Sequence, residues 1–266
     1  MTFTDIAGLV DQTFGPHFLH VTPESVADFV DVTGDDPRQW TKAAPPGFMA
    51  TALFAVAPDL LGQLTDRSVI HGEQTFKWLR SLAIGSELTV TGTVIRARER
   101  GGVHFTTFEI EVRDDQGTVA TGSSLFLISG DSTPGNAVAE RTEPTQDDHG
   151  NPQDGQVSAS RMDLVRYAAA TRDWNPIHWD HESAVAARLP GVVCHGLLQA
   201  AWTFRAATGL VAGDRPLSAV RVRFRNPLLP AIPVSIGLER SDSTVNVTLS
   251  DDSTEYITTR AEFTDE

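Results

Sequence analysis

The feature that most limits the fold is internal: the chain runs through one order of segments twice. In the first pass, "TPESVADFVDVTG" reads as a helix, with Thr22 as N-cap, Pro23 at the first helical position and Gly34 after its end. "GFMATALFAVAPDLLG" follows as an apolar helix. Four strand candidates come next, around 68–82 and in "SELTVTGTVIRAR", "VHFTTFEIEVRD" and "TVATGSSLFLI". In the second pass, "SRMDLVRYAAAT" places Met162, Val165, Tyr167, Ala168 and Ala169 at near-helical spacing, with Ser160 and Asp163 as a capping box. "CHGLLQAAWTFRAATG" reads as a buried helix closed by Gly209. The strands "LSAVRVRFRNPLL", "VSIGLERS", "TVNVTLS" and "EYITTRAEF" then complete the unit. Short segments correspond as well: "FKWLRSLAIGSEL" lies in register with "FRNPLLPAIPVSI".

Between the two passes lies "SGDSTPGNAVAERTEPTQDDHGNPQDGQ", rich in Gly, Pro, Asp, Ser and Thr and without apolar periodicity. It reads as a linker over 129–156, dividing the chain into 1–128 and 157–266. A helix that is apolar all round must be buried. A strongly curved antiparallel sheet wrapped around it is the economical way to do so in each half. The expected class is α+β, with two such units pairing their sheets side by side.

Composition narrows the partners. A formal net charge of −14 and a pI near 4.9 argue against nucleic acid or an anionic membrane surface as the main partner. Cys194 is the single cysteine, so no internal disulfide can form. No run of about 18 apolar residues is available to span a bilayer. No signal-peptide pattern opens the sequence. A cytoplasmic location is the expectation, and a homodimer is compatible with it.

The stretch "TRDWNPIHWD" carries the candidate chemistry. Pro176 fixes its own φ and biases Asn175 away from the helical region, giving a stiff turn that can hold Asp173 and His178 toward one point. Taken alone it reads first as an Asx-Pro turn with solvated side chains, Asn175 bonding the backbone. Further on, "VVCHGLL" puts Gly196 at a helix start, where unpaired N–H groups and partial positive charge suit an oxyanion. Close packing is the other use of a glycine there.

Together these motifs resemble the MaoC-like hydratases, or R-specific enoyl-CoA hydratases, whose signature is D-x-N-P-x-H followed by H-G. Asp173-Trp174-Asn175-Pro176-Ile177-His178 and, about seventeen residues on, His195-Gly196 match it. The likeness covers residues 161–229 well, and the rest of the chain is similar to two-hotdog members whose N-terminal half resembles a fatty-acid-synthase-type dehydratase domain. The resemblance implies a double hotdog fold and reversible addition of water to a trans-2-enoyl thioester, giving a 3R-hydroxyacyl thioester. It implies that Asp173 and His178 activate water, that the Gly196 N–H holds the thioester oxygen, and that Asn175 and His195 shape the turn and loop. It brings no cofactor and no metal. The substrate arrives on coenzyme A or on an acyl carrier protein.

Laid on this turn at the prolines, the first half has Gly34 for Asp173, Asp36 for Asn175 and Gln39 for His178, with Thr51 and Ala52 for His195 and Gly196. Both proton-transfer residues are gone, so the first half reads as a non-catalytic copy. Arg221, Arg223 and Arg225 alternate and would share one strand face, either solvated or clamping coenzyme phosphates. A thiol enzyme using Cys194 and His195, or a metal held by His178, Asp180 and His181, has no supporting motif. The competing expectations are a hotdog thioesterase, a silent acyl-thioester binding subunit, and a mesaconyl- or itaconyl-CoA-type hydratase.

Overall fold

Local signals start both helical layers. In the computed structural model, which describes residues 5–64, 67–130, 155–211 and 213–264, α1 spans Pro23–Thr33 and α3 spans Arg161–Thr171. Each opens on a reciprocal capping box, Thr22 with Ser25 and Ser160 with Asp163. Each ends on a residue in the left-handed conformation, Gly34 (φ 65°) and Arg172 (φ 66°). The apolar helices are α2 (Met49–Leu61) and α5 (Gly196–Thr208). A short α4 (His181–Ala186), capped by Asp180, was not expected from the pattern. Gly209 follows α5 in a right-handed conformation (φ −62°), so the helix does not close through a left-handed glycine.

The strands form one antiparallel sheet. In the first half they are β1 (Thr13–His20), β2 (Ser68–Trp78), β3 (Glu87–Arg100), β4 (Val103–Asp114) and β5 (Gly117–Ser129). In the second they are β6 (Gln156–Val157), β7 (Leu217–Phe224), β8 (Val234–Arg240), β9 (Thr244–Ser250) and β10 (Glu255–Phe263). The order is β1-β3-β4-β5-β2-β7-β10-β9-β8-β6, which reads as the same five-strand order from either edge inward. The two units meet at one antiparallel ladder between β2 and β7, from Glu73 opposite Arg223 to Lys77 opposite Ala219. In the second half α5 packs against β7, β8, β9 and β10, and in the first α2 packs against β1 and β3. This is the α+β double hotdog plan.

Eight strand candidates match β2–β5 and β7–β10. The edge strands β1 and β6 were not anticipated. β1 contains Gly15 and Pro16, which break its alternation, and an edge is where a sheet tolerates proline. Residues 131–154, most of the expected linker, lie outside the described residues. Among the described residues no helix is long and apolar enough to cross a membrane.

Candidate active site

The turn after α3 delivers Asp173 and His178 to one buried point. Asn175 caps the short helical turn Pro176–His178, its Oδ1 accepting from the Ile177 amide. This swings His178 back under the start of α5. Asp173 is 6% exposed and His178 8% exposed, so neither is a solvated turn residue. Their functional atoms and a ring nitrogen of His195 all lie within 4.8 Å of one another.

Each imidazole is held by one backbone carbonyl. His178 Nδ1 donates to the Val193 carbonyl at 2.8 Å, which leaves Nε2 as a free acceptor. His195 Nε2 donates to the Asp173 carbonyl at 3.2 Å, tying α5 to the motif turn. The two rings stack with centroids 3.8 Å apart. Burial drives His178 down to about 4, against the pull of the Val193 hydrogen bond. Burial raises the Asp173 carboxyl to about 7, only partly offset by the Asn175 amide. The pair is therefore a neutral imidazole beside a carboxyl that exchanges its proton near neutrality. Burial pushes the Cys194 thiol up to about 12, which suits an inert core thiol.

Gly196 is the first residue of α5, with His195 as N-cap. The Phe224 ring stands against it: a Cβ on Gly196 would come within 2.8 Å of that ring. Phe224 in turn packs on His71 of β2, with centroids 4.7 Å apart. A groove of about 520 Å³ opens beside Phe224, lined also by Gly72, Glu73, Arg223, Arg225 and Asn226. The seam between the halves thus runs from this groove to the start of α5.

The structure separates the three expected arginines. Arg225, one residue beyond the end of β7, pairs with Glu255 at 2.7 Å and lines the groove together with Arg223. Arg221 pairs with Glu73 at 2.8 Å and is not part of the groove lining. Arg223 lines the groove, half-exposed, and also reaches Glu73 at 3.3 Å. Asp180 caps α4 by accepting from the Ser183 amide, so it is a capping group and not a metal ligand. Asp173, His178 and His195 form the compact donor set, but they fit a shared ion poorly. Imidazoles bind metals in the ring plane, and two rings stacked face to face direct those lone pairs side by side.

Alignment at the prolines is off by one at the acid. Thr33 and Thr171 each donate to the carbonyl four residues back, Phe29 and Tyr167, and each is followed by the left-handed cap. By this helical register Asp35, not Gly34, stands at the Asp173 position. Burial raises the Asp35 carboxyl too. The helix starts likewise align Met49, not Ala52, with Gly196. The first half keeps an acid and lacks the imidazole and the glycine.

Nothing in the sequence marks Tyr167 as a site residue, because its spacing on α3 is that of a core aromatic. It is fully buried, 5.0 Å from the His195 ring, and its hydroxyl has no hydrogen-bond partner among the described residues.

Comparison with known proteins bears on the family and the fold. A family model described as "MaoC like domain" matches residues 142–260. That segment of the chain is a MaoC-like domain. It is 24% identical over 220 residues to the peroxisomal multifunctional enzyme type 2 of Drosophila melanogaster, covering 75% of this chain and 37% of that one. The chain thus spans little more than a third of that relative's length. A UPF0336 protein of Clavibacter michiganensis is 39% identical over 122 residues, 43% of this chain and 75% of that one. Among solved structures, a MaoC-like dehydratase superposes with a TM-score of 0.78 at 20% identity, covering 96% of this chain and 99% of that one. A Mycobacterium tuberculosis protein described as having a double hotdog fold gives 0.66 at 13% identity, with 96% of each chain covered.

Proposed function

We propose that this MaoC-like protein hydrates trans-2-enoyl thioesters reversibly to 3R-hydroxyacyl thioesters, with Asp173, His178 and Gly196 as the catalytic groups. One observation carries the reading: a buried carboxyl poised near pH 7 beside a neutral imidazole whose Nε2 is left free, at the start of a buried helix. His178 Nε2 and the Asp173 carboxylate accept the two hydrogens of one water. Asp173 is the better proton acceptor, because His178 is the weaker base of the two. As the water oxygen bonds to the β carbon, its proton passes to Asp173 and from there to the α carbon. The electron pair of the double bond moves toward the thioester oxygen, and the Gly196 N–H and the helix N-terminus stabilise that charge. Asn175 and His195 position the turn and the loop.

The first half, 1–128, is a non-catalytic copy that completes the sheet, joined by the linker 129–156 to the catalytic half, 157–266. Its missing imidazole and glycine support that assignment. Coenzyme A, or the arm of an acyl carrier protein, enters by the groove beside Phe224, where Arg223 and Arg225 meet its phosphates. Among the described residues no Lys or Arg is buried, which favours an acyl group without a second carboxylate over a mesaconyl-type substrate.

A thioesterase would use the same activated water on the thioester carbon instead. Crotonyl-CoA separates the two. Hydration removes the enoyl absorbance with no thiol appearing; free thiol at the same rate would make the protein a thioesterase.

A further inference from the structure

The two halves contain their own control for one buried hydroxyl. By the register that matches Thr33 with Thr171, Tyr167 corresponds to Phe29. The two rings face each other across the α1–α3 contact, centroids 6.1 Å apart, and both are fully buried. Phe29 shows that the packing role at this position needs no oxygen. Tyr167 has one nonetheless, and its hydroxyl finds no hydrogen-bond partner. A buried hydroxyl left unpaired is costly and is rare in native cores. It occurs here in the half that carries both Asp173 and His178.

The surroundings limit what this hydroxyl can serve. α1 contributes the apolar Phe29, and the start of α5 contributes His195. Among the described residues His195 Nδ1 is also buried without a partner, so the Tyr167 hydroxyl is not the sole unused polar group at this point. The motif turn contributes His178, stacked on His195, and Asp173, whose carboxylate lies within 4.8 Å of a ring nitrogen of the same His195 that the Tyr167 ring touches. Among the described residues the one donor to the Asp173 carboxylate is the Asn175 amide, at a long 3.4 Å. A buried carboxylate needs donors when it ionises.

We propose that Tyr167 is a positioning residue of this site, its hydroxyl donating to the Asp173 carboxylate, directly or through one bound water, whenever that carboxylate is ionised. The proposal rests on the hydratase reading only for its catalytic consequence. The hydrogen bond favours the charged form, so its loss must raise the pH at which Asp173 gives up its proton.

The direct test is a carboxyl 13C NMR titration of the full chain, in which the Asp173 signal is the one lost in Asp173→Asn. In Tyr167→Phe the midpoint should move up by about one pH unit, with the melting temperature unchanged or higher. The pH–rate profile for an enoyl thioester should shift its acidic limb the same way, kcat falling while KM holds. In the native chain the Tyr167 Cζ resonance should follow the Asp173 titration and cease to do so in Asp173→Asn, a readout that does not need the Tyr167 variant to fold. A midpoint that stays in place or falls, or a Cζ resonance indifferent to Asp173, overturns the proposal. A shifted midpoint in a protein that hydrates no enoyl thioester would uphold Tyr167 and sink the hydratase reading instead.

Discussion

At the residue scale, the Val193 carbonyl decides which nitrogen of His178 is available, and burial decides that this nitrogen is neutral. Asp173 and His178 also oppose each other in stability. The Asp173 carboxyl is raised above its unfolded value, so the stability it permits is fully present below about pH 4 and is lost as pH rises through about 7. His178 is lowered, so its penalty is felt at low pH, and stability is regained as pH climbs from about 4 to about 6.5. The two slopes offset each other between those values. Asp173→Asn should therefore stabilise the fold by on the order of a few kcal/mol at pH 8 and by little at pH 4, measured by urea unfolding at both. An equal gain at both values would mean that Asp173 is not the buried titrating acid.

At the element scale, the start of α5 is where packing and chemistry share one atom position. Gly196 admits the Phe224 ring and, in the proposed reaction, a thioester oxygen, so Gly196→Ala should cost about 1–3 kcal/mol of stability by overpacking and lower kcat as well. A variant that unfolds more easily but turns over at the native rate would leave Gly196 with a packing role alone. Much of this scale was legible in the residues. Capping boxes at Ser160 and Thr22 fix where two helices begin, and β-branched alternation fixes eight strands. β1 was hidden by Gly15 and Pro16, and β6 by having only two residues. Tyr167 was hidden for a different reason: a hydrophobic period reports which face is buried and says nothing about a hydroxyl at the end of a buried ring. The equivalence of Asp35 with Asp173 was likewise out of reach, because the proline is the conspicuous anchor whereas the left-handed helix cap is the structural one.

At the scale of the whole molecule, the halves are joined through β2 and β7, and the seam leads to the site. Phe224 of β7 stands between Gly196 and His71 of β2, so the half proposed to be catalytic borrows a wall from the other. Residues 155–264 expressed alone would expose the β7 edge and its apolar neighbours, and should aggregate or remain inactive. A soluble, fully active fragment would mean the first half contributes nothing to catalysis. Arg223 and the groove beside Phe224 belong to the same scale, since they lie on the route proposed for a long charged carrier. Arg223→Glu should raise KM for an enoyl-CoA about tenfold or more and leave a short pantetheine thioester nearly unaffected, as expected of a charge-assisted phosphate contact. Equal effects on both substrates would remove the clamp.

The central claim is that Asp173 and His178 act together on one water. Its most direct measurement is the hydration rate of a single enoyl-CoA by the native chain, by Asp173→Asn, by His178→Asn and by the double variant. Groups that work as a unit lose their effect together, so each single variant should fall by about 10²–10⁴-fold and the double variant hardly further. Activity that survives either single change, or losses that multiply as if the two residues were independent, would contradict it.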